Sequence, residues 1–169
     1  MLVLSLLMRI VVACLLAWLA TVDLRTRRLP TRAVAAIAVL FPVDAVLVGM
    51  PAAEMGLHLA VALLILLAGF ALFAARMLGG GDVKLAAAIF LWVGVTGFMP
   101  ALTLVSVIGT IVGFISLATR RLSPSAERRG VRRWLALFSG ARGVPYGVAL
   151  ALGGATAIVL PGVLPLLAR

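Results

Sequence analysis

Apolar runs near membrane-spanning length recur from one end of this chain to the other. They fall at about Leu2–Val22, Ala33–Met50, Leu57–Ala75, Val83–Val95, Phe98–Thr119 and Tyr146–Leu167. Crossing a bilayer core takes about 20 apolar helical residues, and inside it only helices or closed barrels satisfy the backbone. Of the 169 residues, 64% are hydrophobic and 12% charged, whereas a soluble domain carries about 25% charged residues. With a mean hydropathy of +1.26, the chain has too little polar surface to cover a water-soluble globule. These features predict an all-α polytopic membrane protein of about six transmembrane helices. The fourth run is short, and Gly94, Gly97 and Pro100 mark a tight reversal between it and the fifth. No polar linker is long enough to divide the chain, so residues 1–169 are expected to form a single membrane-embedded domain.

The net charge is +10, and its placement predicts orientation. Arg25, Arg27, Arg28 and Arg32 fall in the first connection, and Arg76 and Lys84 in the third. Arg120, Arg121, Arg128, Arg129, Arg132, Arg133 and Arg142 fall in the fifth. The second connection carries Glu54 and no basic residue, and the fourth carries no charge. Basic connections stay cytoplasmic, which puts both termini on the non-cytoplasmic side. This distribution accounts for the basicity, and nucleic acid is not expected as a partner. Leu2–Ala20 has no basic stretch before it, so a retained span is expected there rather than a cleaved signal. Residues 120–142 form a basic cytoplasmic loop. Within it Val131, Trp134, Leu135 and Phe138 recur at helical spacing, predicting a short amphipathic helix over Glu127–Phe138 on the anionic leaflet.

The polar residues are few enough to weigh singly. Cys14, the one cysteine, cannot form an intrachain disulfide and is expected to pack in the core. His58 is the one histidine, which argues against a His-based metal site or a Ser/His triad. No cofactor and no metal site can be read. Arg9 and Asp44 lie inside the first and second runs, ~20 Å and ~17 Å from the cytoplasmic ends at helical rise. Antiparallel neighbours would bring them together, and a structural ion pair is expected. Pro42 is expected to kink the second helix nearby.

Two further acids carry the chemistry. Asp23 stands where the first run meets the cytoplasm, and Asp82 follows Gly79–Gly80–Gly81 just before the fourth run. The predicted topology puts both at one membrane face. A carboxylate there is costly unless solvated or paired, which makes it a functional candidate. Two carboxylates in contact cannot both ionise readily. One can then act as general base on water while the other, protonated, polarises a carbonyl, as peptide hydrolysis requires. The glycines would let an extended backbone approach closely. The plain alternatives are that Asp82 caps a helix beginning at Val83 and that Asp23 pairs with Arg25 or Arg27.

Three motifs resemble those of one family. Gly79-Gly80-Gly81-Asp82-Val83-Lys84-Leu85 resembles the GxGD signature of type IV prepilin peptidases, with their usual Lys-Leu after it. Asp23-Leu24-Arg25 through Leu29-Pro30 resembles the first aspartate motif of that family, with Thr31 where Asn is frequent. Gly143-Val144-Pro145-Tyr146-Gly147 resembles the Pro-Tyr-Gly segment that opens its last span. The resemblance implies a GxGD aspartyl protease-like bundle in the bacterial inner membrane. Asp23 and Asp82 would be catalytic, Gly79 and Gly81 would be the motif glycines, and Pro145, Tyr146 and Gly147 would border the site. Lys84, two residues past Asp82, is a further candidate for the site lining, with two readings open: contact with anionic lipid or tuning of the acid pair. The implied reaction is removal of the leader at the cytoplasmic face from a prepilin or pseudopilin with a basic leader and a hydrophobic helix. The chain lacks the cysteine-bearing insertion of the larger bifunctional members. It resembles the short form of Flp-type, tight-adherence pili, so methyltransferase activity is not implied. Membrane lipid is the other implied partner. A non-catalytic scaffold or a transporter of a pilus or secretion system is the competing reading.

Overall fold

The computed structural model describes residues 2–120, 138 and 144–167. Among the described residues there are six helices: α1 (Leu2–Thr26), α2 (Thr31–Val48), α3 (Ala52–Ala74), α4 (Gly80–Val93), α5 (Phe98–Ala118) and α6 (Tyr146–Leu167). Five of them, all but α4, are long and apolar enough to cross a membrane. The fold is an all-α polytopic membrane bundle. The amphipathic helix expected over Glu127–Phe138 lies outside the described residues, Phe138 apart.

Local sequence sets the helix ends. Pro30 and Pro51 stand in extended conformation at the N-caps of α2 and α3, where a missing N–H costs nothing. Gly49 ends α2 at φ 73°, with its N–H on the Val46 carbonyl and the Met50 N–H on the Ala45 carbonyl. That is a Schellman closure, and it needs the left-handed conformation that glycine adopts freely. Gly94 ends α4 at φ 63°, and any Cβ there would run into the His58 ring.

The shortest helix is the central one. With 14 residues α4 is ~21 Å long, short of the ~30 Å bilayer core. It buries Val83, Leu85 and the whole stretch Ala88–Val93 against α2, α3 and α6. The fourth apolar run is thus a core helix ringed by the long ones. The outward faces remain apolar, with Leu64, Phe70, Val107 and Phe114 all exposed, as expected of surfaces solvated by lipid. Cys14 also faces outward, against the expected core position.

Buried polar groups at the far end of α4 find partners. A carbonyl can only accept, so His58 donates from Nδ1 to the Leu91 carbonyl at 2.7 Å. Its ring stacks on Phe41 with centroids 5.0 Å apart, and Phe41 meets Trp92 edge-on at 5.9 Å. Trp92 donates to the Ile37 carbonyl at 2.8 Å.

Arg9 and Asp44 do meet, Nη2 to Oδ2 at 3.4 Å. Arg9 also donates to the Ile158 carbonyl at 3.1 Å and to Ser5 Oγ at 3.4 Å. One guanidinium thereby ties α1, α2 and α6. Removing either charge strands the other in a low-dielectric interior, which costs on the order of 3 kcal/mol. Arg9→Gln and Asp44→Asn should each lower thermal stability in detergent, while the double change to Met and Leu should recover part of the loss. Strictly additive losses would contradict the coupling.

Candidate active site

Asp23 lies in the last turn of α1, because the helix runs on to Thr26 rather than ending at Val22. Only 5% of it is exposed. Its carboxyl group accepts the backbone N–H groups of Gly147 and Val148, in the first turn of α6. The Val148 N–H is shared with the Pro145 carbonyl at 3.2 Å. The first N–H groups of a helix have no intrahelical partner and sit at the positive end of its dipole. A carboxylate from α1 therefore caps α6. The cap requires glycine at 147, because a Cβ there would stand 2.8 Å from both Cγ and Oδ2 of Asp23. Asp23 Oδ2 is itself buried with no hydrogen-bond partner among the described residues.

Asp82 comes to the same place from α4. That helix starts at Gly80, not Val83, so Asp82 occupies its third position. There its carboxyl accepts the N–H of Gly79, the N-cap residue, as the acid of a capping box does. Capping and proximity to Asp23 thus coexist in one side chain. The two acids share a cavity of about 280 Å³ with Arg27, Arg28, Leu29 and Gly79–Gly81. The glycines shape that cavity unequally. A Cβ at Gly79 would lie 2.9 Å from Asp82 Oδ2, and one at Gly81 would lie 3.1 Å from Leu29 Cβ. A Cβ at Gly80 would meet only the Phe73 ring, at 3.4 Å.

Asp82 is outside the five long apolar helices, and burial pushes its carboxyl up from the usual 3.8 to about 6. The neighbouring Asp23 charge adds to the rise, while the Gly79 N–H and the Arg27 guanidinium oppose it. Between those two values the folded chain holds a proton that the unfolded chain has released. This group therefore favours the fold most in acid, and its contribution fades as pH rises through about 6.

The remaining candidates divide. Pro145 is fully buried, and Tyr146 is half-exposed on the wall of a second, apolar cavity that also includes Asp82. Lys84 is exposed and lines a different cavity, with Thr31, Val34 and Leu63. Residues two apart on a helix point away from each other, which carries Lys84 off the face that presents Asp82. Arg27, which the sequence offers only as an ion-pair partner of Asp23, joins the candidate site. It lines the shared cavity and acts electrostatically on both acids. Its spacing of four from Asp23 was the available signal.

These contacts make the glycines separable. Helix propensity alone says that Ala in place of Gly stabilises by up to ~1 kcal/mol. Gly147→Ala should instead destabilise by roughly 1–3 kcal/mol through overpacking against Asp23, while Gly80→Ala should be neutral or mildly stabilising. Thermal unfolding in detergent reads both. A more stable Gly147→Ala protein would contradict the cap.

Comparison with protein-family models matches the type IV leader peptidase family over residues 10–114. The match covers more than half of the chain and includes both Asp23 and Asp82. It ends before the Pro145–Tyr146–Gly147 segment. Searches of curated proteins and of solved structures gave no match. With the family's model spanning both acids and the all-helical membrane bundle that holds them, the chain belongs to the type IV leader peptidase family.

Proposed function

We propose that the chain is an aspartyl endopeptidase in which Asp23 and Asp82 together hydrolyse the bond between a prepilin leader and the pilin's hydrophobic helix. The observation that carries this reading is the shared cavity of about 280 Å³, in which two carboxyl groups from distant parts of the chain, Asp23 buried and Asp82 half-buried, face one space beside three glycines. One carboxylate takes a proton from water as its oxygen attacks the scissile carbonyl carbon. The other carboxyl gives its proton to the carbonyl oxygen. Collapse of the tetrahedral species breaks the C–N bond: the leaving nitrogen takes the proton that the first carboxyl gained from water, and a hydroxyl of the tetrahedral species returns a proton to the second. The raised value of Asp82 supports a pair that retains one proton close to neutral pH. Arg27 beside both acids keeps that proton from being held too firmly.

The setting follows from charge. Arg25, Arg27, Arg28 and Arg76 lie at the α1–α2 and α3–α4 connections, the same end of the bundle as both acids. Basic connections favour the cytoplasm. The reaction is accordingly assigned to the cytoplasmic face of a bacterial inner membrane, with both termini opposite. The substrate is a prepilin or pseudopilin of the Flp type, and no methyl transfer accompanies cleavage. The basic loop at 120–142 is assigned to the anionic leaflet.

Asp23→Asn and Asp82→Asn should each reduce cleavage of a co-expressed prepilin by at least ~10³-fold, since neither carboxyl can fill both roles. Both variants should remain folded in the membrane. The readout is the leader-dependent mobility shift of the prepilin, repeated with purified protein. Full activity in either variant would remove the aspartyl mechanism.

A further inference from the structure

Beside the polar cavity lies a larger one of about 590 Å³ whose walls are nearly all apolar. It is a groove between α3 and α5. Both helices pack on neighbours, α3 on α4 and α5 on α6, but scarcely on each other. The α5 wall presents Leu102, Val105, Ser106, Gly109, Thr110 and Gly113, which recur at helical spacing on one face. From Leu102 to Gly113 that face is ~17 Å long at helical rise. Val83, Ala86 and Phe90 of α4 form the floor.

Two of the glycines on this wall are not explained by the packing of the chain itself. A Cβ at Gly113 would meet nothing within 4 Å, and one at Gly109 would meet only Ala149 Cβ at 3.7 Å. The fold needs glycine elsewhere: a Cβ at Gly153 would come within 2.8 Å of Val105 Cγ2, and one at Gly154 within 2.7 Å of Ile89 Cδ1. Glycine also weakens a helix by ~1 kcal/mol relative to alanine. Small residues facing open space in a membrane helix let a second helix approach closely.

The groove is continuous with the candidate site, because Asp82 lines both cavities. An apolar segment lying in it would reach the carboxyl pair at one end, where the walls change from apolar side chains to glycine backbone and arginine. We propose that this groove docks the membrane-embedded helix of the substrate, and that Gly109 and Gly113 set how closely that helix approaches. The proposal rests on the leader-peptidase reading above. It assigns the apolar part of the substrate to α3 and α5 and leaves the bond to be cut, just beyond the helix, beside Asp23 and Asp82. A lipid chain on the same walls would present no peptide bond to Asp82, and packing of a second copy is an outcome that the trapping experiment below registers.

The test uses the full chain in detergent and a prepilin that it cleaves on co-expression. Gly109→Leu and Gly113→Leu should lower the preference for full-length prepilin over a short peptide spanning the cleavage point, without the helix, by at least tenfold. Val107→Leu, on an exposed part of α5, should leave that preference unchanged. An unchanged preference in both glycine variants would overturn the docking site. Binding is read separately from catalysis by disulfide trapping. Gly113→Cys is combined with Cys14→Ser and the inactivating Asp82→Asn, and the prepilin carries one cysteine in its apolar helix. A prepilin adduct supports the proposal, whereas a homodimer alone or no adduct overturns it. Failure of the wild-type chain to cleave any prepilin would instead strike the proposed function, which the trapping experiment does not measure.

Discussion

The carboxyl group of Asp23 against the first turn of α6 is the contact on which the rest of this molecule turns. It costs a charge-bearing side chain its water, and that cost is offset by the Gly147 N–H, free of an intrahelical partner at the helix start, and by the Val148 N–H that the carboxyl shares with the Pro145 carbonyl. In return it fixes the end of α1 against the beginning of α6. Packing between those two helices is the most extensive in the bundle. With α1 so placed, the turn after it brings Arg27 and Leu29 over the glycines that precede α4. Asp82 then faces Asp23 because its helix starts there. The same pair of helices is tied again at greater depth, where Arg9 spans from Asp44 to the Ile158 carbonyl.

Short α4 gives the arrangement its chemistry. A helix that spanned the bilayer would carry its first turn out to the headgroups. One of 14 residues keeps Asp82 half-sunk and its carboxyl hard to ionise. The outer helices supply the length that α4 lacks. They also leave a lateral opening between α3 and α5 that reaches the same carboxyl. Burial, charge repulsion and access from the membrane therefore meet at one side chain.

Much of this could be read from residue order. The helix ends fall within a few residues of the apolar runs, and α6 begins at Tyr146 where the hydropathy pattern put it. Arg9 and Asp44 were matched by depth alone. What could not be read has physical causes. In a membrane the outside is as apolar as the core, so hydropathy could not tell that Cys14 faces out or that the fourth run is the buried centre. Nor could it say why position 147 must be glycine, because the atom that excludes a Cβ there belongs to a residue far back in the chain. Lys84 sits next to the motif in sequence, yet helical rotation places it on another wall. Arg27 was visible as a neighbour of Asp23, but its reach to Asp82 appears only once α4 is in place.

The central claim is that Asp23 and Asp82 form one electrostatic unit. Carbon-13 labelling of the aspartate side chains, with carboxyl shifts followed against pH in detergent, measures this directly. In the wild-type chain the Asp82 carboxyl should titrate at about 6. In Asp23→Asn the repulsion is gone but the burial is not, so the value should fall while staying above the usual 3.8. An Asp82 titration that ignores the loss of Asp23 would mean that the two carboxyl groups do not share a site.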